Sequence, residues 1–239
     1  MTDLSLSLAG RLPSEVAIVG GNGQIARALA ALLAEDGGRV RSIIRSEAQA
    51  DALRELGAEP VVCDIETASA DEIANAFGDA EAVVFAAGAG PGSGEARKWT
   101  VDRGGAIKSA DAALLSGAMR FLQISFIGAE QQAPAGGDPV FAAYWDAKRE
   151  ADEYLRSVAL DWTIVKPGGL TNEPATGRGT VSVSTMERGG KTRRADVAHV
   201  IRLALAHQGT VWRDLSVVEG GTPLDEAIDH ALAEAQKAL

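Results

Sequence analysis

The stretch Val16-Ala-Ile-Val-Gly-Gly-Asn-Gly-Gln-Ile-Ala-Arg-Ala-Leu-Ala-Ala-Leu-Leu33 decides the fold. Its apolar start, Val16 to Val19, is short and runs into glycine, the pattern of a parallel strand buried on both faces. Gly20 and Gly23 permit a tight turn whose backbone N–H groups can approach an anion closely. From Gln24 to Leu33 the periodicity is helical, so the positive end of a helix faces that turn and suits a pyrophosphate. An ordinary strand–turn–helix unit would also tolerate these glycines. Their place, directly after the first strong strand and at the opening of a helix, matches the dinucleotide-binding fingerprint.

The spacing is G-x-x-G-x-x-A, with Ala26 where the helix packs on the strand and a methyl group is small enough. Gly20, Asn22, Gly23, Gln24 and Ile25 are the candidate cofactor residues of this turn.

The 239 residues suffice for one sizeable α/β domain and are too few for two. We read 1–239 as one nucleotide-binding domain, with 1–14 a loose leader and 170–194 a small substrate cap. The net charge of −10, with no compensating basic stripe, argues against a nucleic-acid partner. One cysteine, Cys63, excludes an internal disulfide and fits a reducing cytoplasm. No apolar run approaches the length of a membrane span, and Met1 to Leu12 lack signal-peptide character. A cytoplasmic protein acting on a small molecule, away from membranes, is the expectation; the oligomeric state is open.

Strands and helices alternate along most of the chain, which predicts a Rossmann-type α/β fold, a doubly wound parallel sheet with a small C-terminal cap. Predicted strands follow at Arg39–Ile44, Pro60–Cys63, Ala82–Ala86, Arg120–Ile124 and Asp161–Val165, with later ones at Thr180–Ser184 and Asp214–Val218. Predicted helices cover about Glu47–Leu56, Ala70–Phe77, Val101–Ser116, Phe141–Val158, Ala195–His207 and Leu224–Ala238.

The second strand ends Ile43-Ile44-Arg45-Ser46, without the acid that commonly holds an NAD ribose. A guanidinium can pair with a 2′-phosphate and stack on adenine, so Arg45 favours NADP, with NADPH preferred over NADH; a solvated strand-end arginine is the plainer alternative. Asp64 and Ile65, after the third strand, stand where this fold meets the adenine ring, and Cys63 beside them reads as packing.

Tyr144 and Lys148 form a Tyr-x-x-x-Lys pair on one face of a predicted helix. An ammonium beside a phenol favours the phenolate, so the tyrosine can exchange a proton near neutral pH. A half-buried tyrosine and a surface lysine on an amphipathic helix would give the same spacing.

With these residues the chain resembles the atypical short-chain dehydrogenase/reductases, the NAD(P)H-binding subgroup of epimerase-like and flavin-reductase-like proteins. The matching segments are Gly20–Gly23, Asp64-Ile65, Ala86-Ala87-Gly88, Val101–Gly104, Phe121–Ser125, Tyr144–Lys148, Thr163–Leu170 and Arg194–Ala198. The resemblance implies that Ala86, Ala87 and Gly88 lie along the cofactor. It implies that Pro167, Gly168, Gly169 and Leu170 meet its nicotinamide end, and that Lys148 reaches the nicotinamide ribose. It names Ser125 and Asp102 beside Tyr144 and Lys148 as candidate catalytic residues.

Two departures stand out. The family's Ile-Ser-Ser-x-x-Gly reads Ile124-Ser125-Phe126-Ile127-Gly128 here, so a phenylalanine occupies the place of the serine that polarises a substrate carbonyl. Neighbouring strand residues face opposite ways, which keeps Ser125 from simply replacing it. Asp102 replaces the classical relay asparagine; a helix-start acid stabilised by the dipole is its plainer role. Loss of one such donor is worth roughly 3–4 kcal/mol in acyl transfer, which disfavours simple ketones more than flavins or quinones.

His199, His207 and His230 lack metal-ligand spacing, so no metal is expected. The basic run Arg188–Arg194 suits either an anionic substrate group or the start of the following helix. Two functions remain open: an NADP-dependent oxidoreductase using Tyr144 and Lys148 on a small carbonyl, flavin or quinone-like substrate, and a non-catalytic NADP(H) sensor, which Phe126 would not impair.

Overall fold

Side chains alternate along β1 (Glu15–Val19), and that alternation divides the core: Val16 and Ile18 face one layer of helices, Ala17 and Val19 the other. The computed structural model describes residues 10–90 and 92–237; residues 1–9 of the expected leader lie outside them. The other strands are β2 (Arg39–Ile44), β3 (Glu59–Val62), β4 (Ala82–Phe85), β5 (Arg120–Ile124), β6 (Asp161–Pro167), β7 (Gly169–Thr171), β8 (Arg178–Ser182), β9 (Lys191–Arg193) and β10 (Arg213–Pro223). The helices are α1 (Gln24–Glu35), α2 (Asp51–Arg54), α3 (Ala70–Phe77), α4 (Glu95–Arg97), α5 (Ala106–Ser116), α6 (Pro139–Ser157), α7 (Arg194–Ala206) and α8 (Leu224–Lys237).

Eight strands form one sheet in the order β3-β2-β1-β4-β5-β6-β10-β8. All neighbours are parallel except β8, which closes the edge antiparallel to β10. Helices α1, α7 and α8 cover the face of Val16 and Ile18, and α3, α5 and α6 cover the other. Fully buried side chains such as Leu29 and Phe121 each contribute about 1.5–3 kcal/mol through removal from water. The chain runs outward from β1 to β3 and returns on the other side of β1 as β4. That reversal opens a crevice beyond the carboxyl ends of β1 and β4, where open α/β sheets bind ligands.

Gly20 makes the crevice possible. Its φ is +76°, and a Cβ there would lie 2.6 Å from the Ala87 Cα, so the turn after β1 touches the end of β4 with no room for a side chain.

Several elements differ from the sequence expectation. The helix expected over Glu47–Leu56 is a 3₁₀ turn, Glu47–Gln49, followed by the single turn of α2. The helix expected over Val101–Ser116 begins as a π-helix, Lys98–Gly105, before becoming α5; hydrophobic periodicity cannot report a change in hydrogen-bond step. β8 is displaced toward its N-terminus, and β10 extends to Pro223 through an irregularity between Val218 and Thr222, because each supplies the other's ladder partners. Within 170–194, β7 and β9 form a separate parallel pair, tied to the main sheet by Thr192, whose hydroxyl accepts the Gly168 N–H just after β6 at 3.0 Å and donates to the Val217 carbonyl of β10 at 2.7 Å.

Arg120 ties the far end together. Its buried guanidinium donates to the Asp161 and Ala204 carbonyls at 2.6 and 2.8 Å and to the Thr210 hydroxyl at 2.9 Å, and burial lowers its pKa to about 10. Arg120→Leu leaves these acceptors without their donor. It is expected to cost about 2 kcal/mol, roughly 4–8 °C in Tm, measured by thermal unfolding; a loss below 1 °C would contradict the bridge.

Candidate functional site

The crevice holds two adjoining cavities of about 280 and 500 Å³ that share Ala86, Ala87, Gly88 and Gly90. The smaller is built on the glycine turn. Gly20, Asn22, Gly23, Arg45, Asp64 and Ile65 line it, together with Gln49 and Arg97. No side chain caps the start of α1 and no acid stands in its first turn, so its positive end is open toward an anion. Gln24 is exposed at that start and lines neither cavity, whereas Ile25 lines the larger one. Arg45 is exposed and has no ion pair or hydrogen bond among the described residues. Arg97, by contrast, is held by Glu66 at 2.8 Å. These residues suit the diphosphate and adenosine half of a dinucleotide. Burial pushes the Cys63 thiol up, which keeps it protonated and fits packing rather than nucleophilic chemistry.

The larger cavity contains the tyrosine–lysine pair. Tyr144 and Lys148, one turn apart on α6, both line it, with Asp102, Ser125, Ile124 and Leu170. Phe126 stacks on Tyr144 with ring centroids 5.5 Å apart, and Trp145 meets Phe126 edge-on at 5.1 Å. Burial pushes the Tyr144 phenol well above its ordinary value, and the carboxylates of Asp102 and Asp152 add to this. The sequence alone suggests that Lys148 draws the phenol down; in the folded protein burial and the two carboxylates act the other way and keep the phenol protonated. Burial in turn pushes the Lys148 ammonium below its ordinary value, and its Nζ donates to the Ile124 carbonyl.

Asp102 lies inside the π-helix rather than at a helix start, and accepts the Ala89 N–H at 3.1 Å. Burial pushes its carboxyl up, against the opposing charge of Lys148. The Ser125 hydroxyl donates to Asp152 at 2.6 Å, so its proton is directed away from the cavity. Pro167, Gly168 and Gly169 lie at the end of β6; of the four residues expected at the nicotinamide end, Leu170 lines the cavity.

Two residues that sequence reasoning passed over, Asp152 and Lys98, belong to this site. Asp152 is buried and accepts from both Ser125 and Gln123, the latter at 2.6 Å. It follows Lys148 by one turn, so Tyr144, Lys148 and Asp152 form an i, i+4, i+8 ladder that the spacing could have revealed. Lys98 is buried and places its ammonium 5.6 Å from the Tyr144 ring centroid; a lone lysine in a glycine-rich loop carries no comparable signal. The basic run is mostly structural: Arg193 pairs with Glu173 at 3.0 Å, Arg194 donates to Asn172 at 2.6 Å, and Arg188 lies 4.4 Å from the Trp145 ring centroid. Among the described residues no group of three His, Cys, Asp or Glu could hold a metal, and no helix is long and apolar enough to cross a membrane.

A family model described as NAD(P)H-binding matches residues 20–208. A Bacillus subtilis protein named as an uncharacterised sugar epimerase, YhfK, is 35% identical over 215 residues, covering 90% of this chain and 98% of its own. A solved structure from Bacillus halodurans, under the provisional name NAD-dependent epimerase/dehydratase, is 37% identical with a TM-score of 0.83, over 91% of this chain and 99% of its own. The oxidoreductase ylbE of Lactococcus lactis is 26% identical with a TM-score of 0.79, over 92% and 97%. The resemblance to the atypical short-chain dehydrogenase/reductases and the Rossmann-type sheet are both borne out by these relatives.

Proposed function

The chain belongs to the NAD(P)H-binding family, and on that premise we propose that it is an NADPH-dependent oxidoreductase reducing a small carbonyl, flavin or quinone-like substrate. One observation carries this reading: Tyr144 and the buried Lys148 line a cavity that shares Ala86, Ala87, Gly88 and Gly90 with the one around the glycine turn. In this reading Gly20, Asn22, Gly23, Gln24 and Ile25 hold the diphosphate, Arg45 the 2′-phosphate, and Asp64 and Ile65 the adenine. Ala86, Ala87 and Gly88 flank the dinucleotide, Lys148 orients the nicotinamide ribose, and Pro167, Gly168, Gly169 and Leu170 border the nicotinamide.

The bound dinucleotide supplies a hydride. Tyr144 delivers a proton from its phenol to the substrate atom that gains negative charge; burial keeps that proton on the oxygen and disfavours the phenolate, so its release calls on the Lys148 charge nearby. Lys148 stabilises the phenolate left behind, and Asp152 holds the helix face and the Ser125 hydroxyl in register. With Phe126 at the serine position and Ser125 donating to Asp152, neither side chain polarises a carbonyl. Flavin and quinone-like acceptors, whose reduction depends less on such a donor, fit better than simple ketones.

Calorimetric titration with NADPH and NADH tests the cofactor half of the reading. Arg45→Ala is expected to weaken NADPH binding roughly 10–100-fold, the worth of about 1.5–3 kcal/mol for charge-assisted hydrogen bonds, and to leave NADH unchanged. Equal binding of the two cofactors by the unmodified protein would remove the NADPH preference; failure to bind either would remove the whole proposal. The sensor reading draws on Phe126 and on the engaged Ser125 hydroxyl, and the tyrosine substitution treated in the Discussion separates it.

A further inference from the structure

Three lysines of this protein are buried, and two of them have countercharges close by. Lys166 is bridged by Glu130 at 2.8 Å and Asp214 at 2.7 Å. Lys148 works against the charges of Asp152 and Asp102 on the cavity wall. Lys98 is different. Its residue is 8% exposed, its Nζ has the Gly90 carbonyl at 3.2 Å as acceptor, and no carboxylate lies within ion-pair distance of it among the described residues. Asp102, one turn further on, is turned to the Ala89 N–H.

An ammonium carries three donors; the Gly90 carbonyl takes one, and the Asp102 charge acts on Lys98 only from beyond ion-pair distance, so the remaining donors are open to a ligand in the cavity. Here the ammonium faces the Tyr144 ring at 5.6 Å, and Lys98, Tyr144 and Phe141 line the same cavity. The π-helix that carries Lys98 is rare in proteins and concentrates at functional sites.

We propose that Lys98 is the recognition point for an anionic group on the substrate, so that the cavity takes a compact aromatic or conjugated molecule bearing one carboxylate or phosphate. The ammonium receives the anionic oxygens, and Phe141, Tyr144 and Leu170 contact the apolar body. This deepens the proposed reductase function and rests on the larger cavity being its substrate site. The role of Lys98 is binding and selectivity, distinct from the proton delivery of Tyr144.

Binding of benzoate, phenyl phosphate and benzyl alcohol to the protein saturated with NADP⁺ tests it by calorimetry. Benzoate or phenyl phosphate is expected to bind at least tenfold more tightly than benzyl alcohol, and whichever anion binds better names the head group. Lys98→Met should abolish that preference and Lys98→Arg should keep it. Both variants should bind NADPH within threefold of the unmodified protein, which shows the fold intact and separates Lys98 from cofactor binding. Equal binding of the alcohol, no binding of either anion, an unchanged preference in Lys98→Met, or a large loss of NADPH affinity in that variant would overturn the assignment. If NADPH itself fails to bind the unmodified protein, the reductase reading falls with it; if NADPH binds and the anion preference is absent, only the Lys98 assignment falls.

Discussion

Tyr144→Phe is expected to lower kcat for NADPH-dependent reduction by about 10²–10³-fold, within the range that a positioned proton donor supplies. The phenol is the group lost; the ring and its stack against Phe126 remain. NADPH affinity should therefore stay within a factor of two. Stopped-flow oxidation of NADPH with a quinone acceptor, alongside calorimetric titration of the same variant, measures both quantities. The expectation rests on the place of the phenol in the cavity beside Lys148, Asp102 and Ser125, and on its carrying a proton at neutral pH. Undiminished turnover would remove Tyr144 from the chemistry. A protein that binds NADPH, turns over nothing, and keeps its partner affinity after this substitution is the sensor.

The second large effect is on stability. Asp152→Ala should destabilise the protein by about 3–5 kcal/mol, because it strips the partner from buried groups and leaves a buried ammonium less compensated. For a chain of this size that corresponds to roughly 6–20 °C in Tm. The Ser125 hydroxyl and the Gln123 amide, both bonded to Asp152 at 2.6 Å, lose their acceptor together, and Lys148 loses a carboxylate whose charge offsets its desolvation. Asp152→Asn retains one acceptor oxygen and should recover part of the loss. Denaturant unfolding of both variants, read with NADPH affinity, checks the ranking. An alanine variant as stable as the parent would mean that water or a shifted side chain satisfies the network and that Asp152 does not hold the ladder.

Much of this molecule is legible along the chain because its cues are local. The glycine turn, the short apolar strands and the intervening amphipathic helices each span fewer than twenty residues, and their periodicities of two and 3.6 are set by backbone geometry alone. Arg45 could be located at the end of β2 for the same reason: a strand end is a sequence position before it is a place in space. Ser125 shows where this kind of reading stops. The resemblance names it as a candidate catalytic residue, whereas the carboxylate that accepts its hydroxyl lies 27 residues away on α6. The π-helical start of the helix expected over Val101–Ser116 was equally out of reach, since apolar periodicity does not report the hydrogen-bond step.

The sequence by itself determined the strand–turn–helix that opens the crevice, the alternation that builds a parallel sheet, and the four-residue spacing of Tyr144 and Lys148. Only the tertiary structure decided what those groups are chemically. It placed the phenol where desolvation and two carboxylates disfavour its ionisation, turned Ser125 toward Asp152, and left Lys98 in a cavity wall without a carboxylate within ion-pair distance among the described residues. The physical reason is that spacing on one element follows from covalent geometry, whereas protonation state and charge balance depend on every element packed around a group.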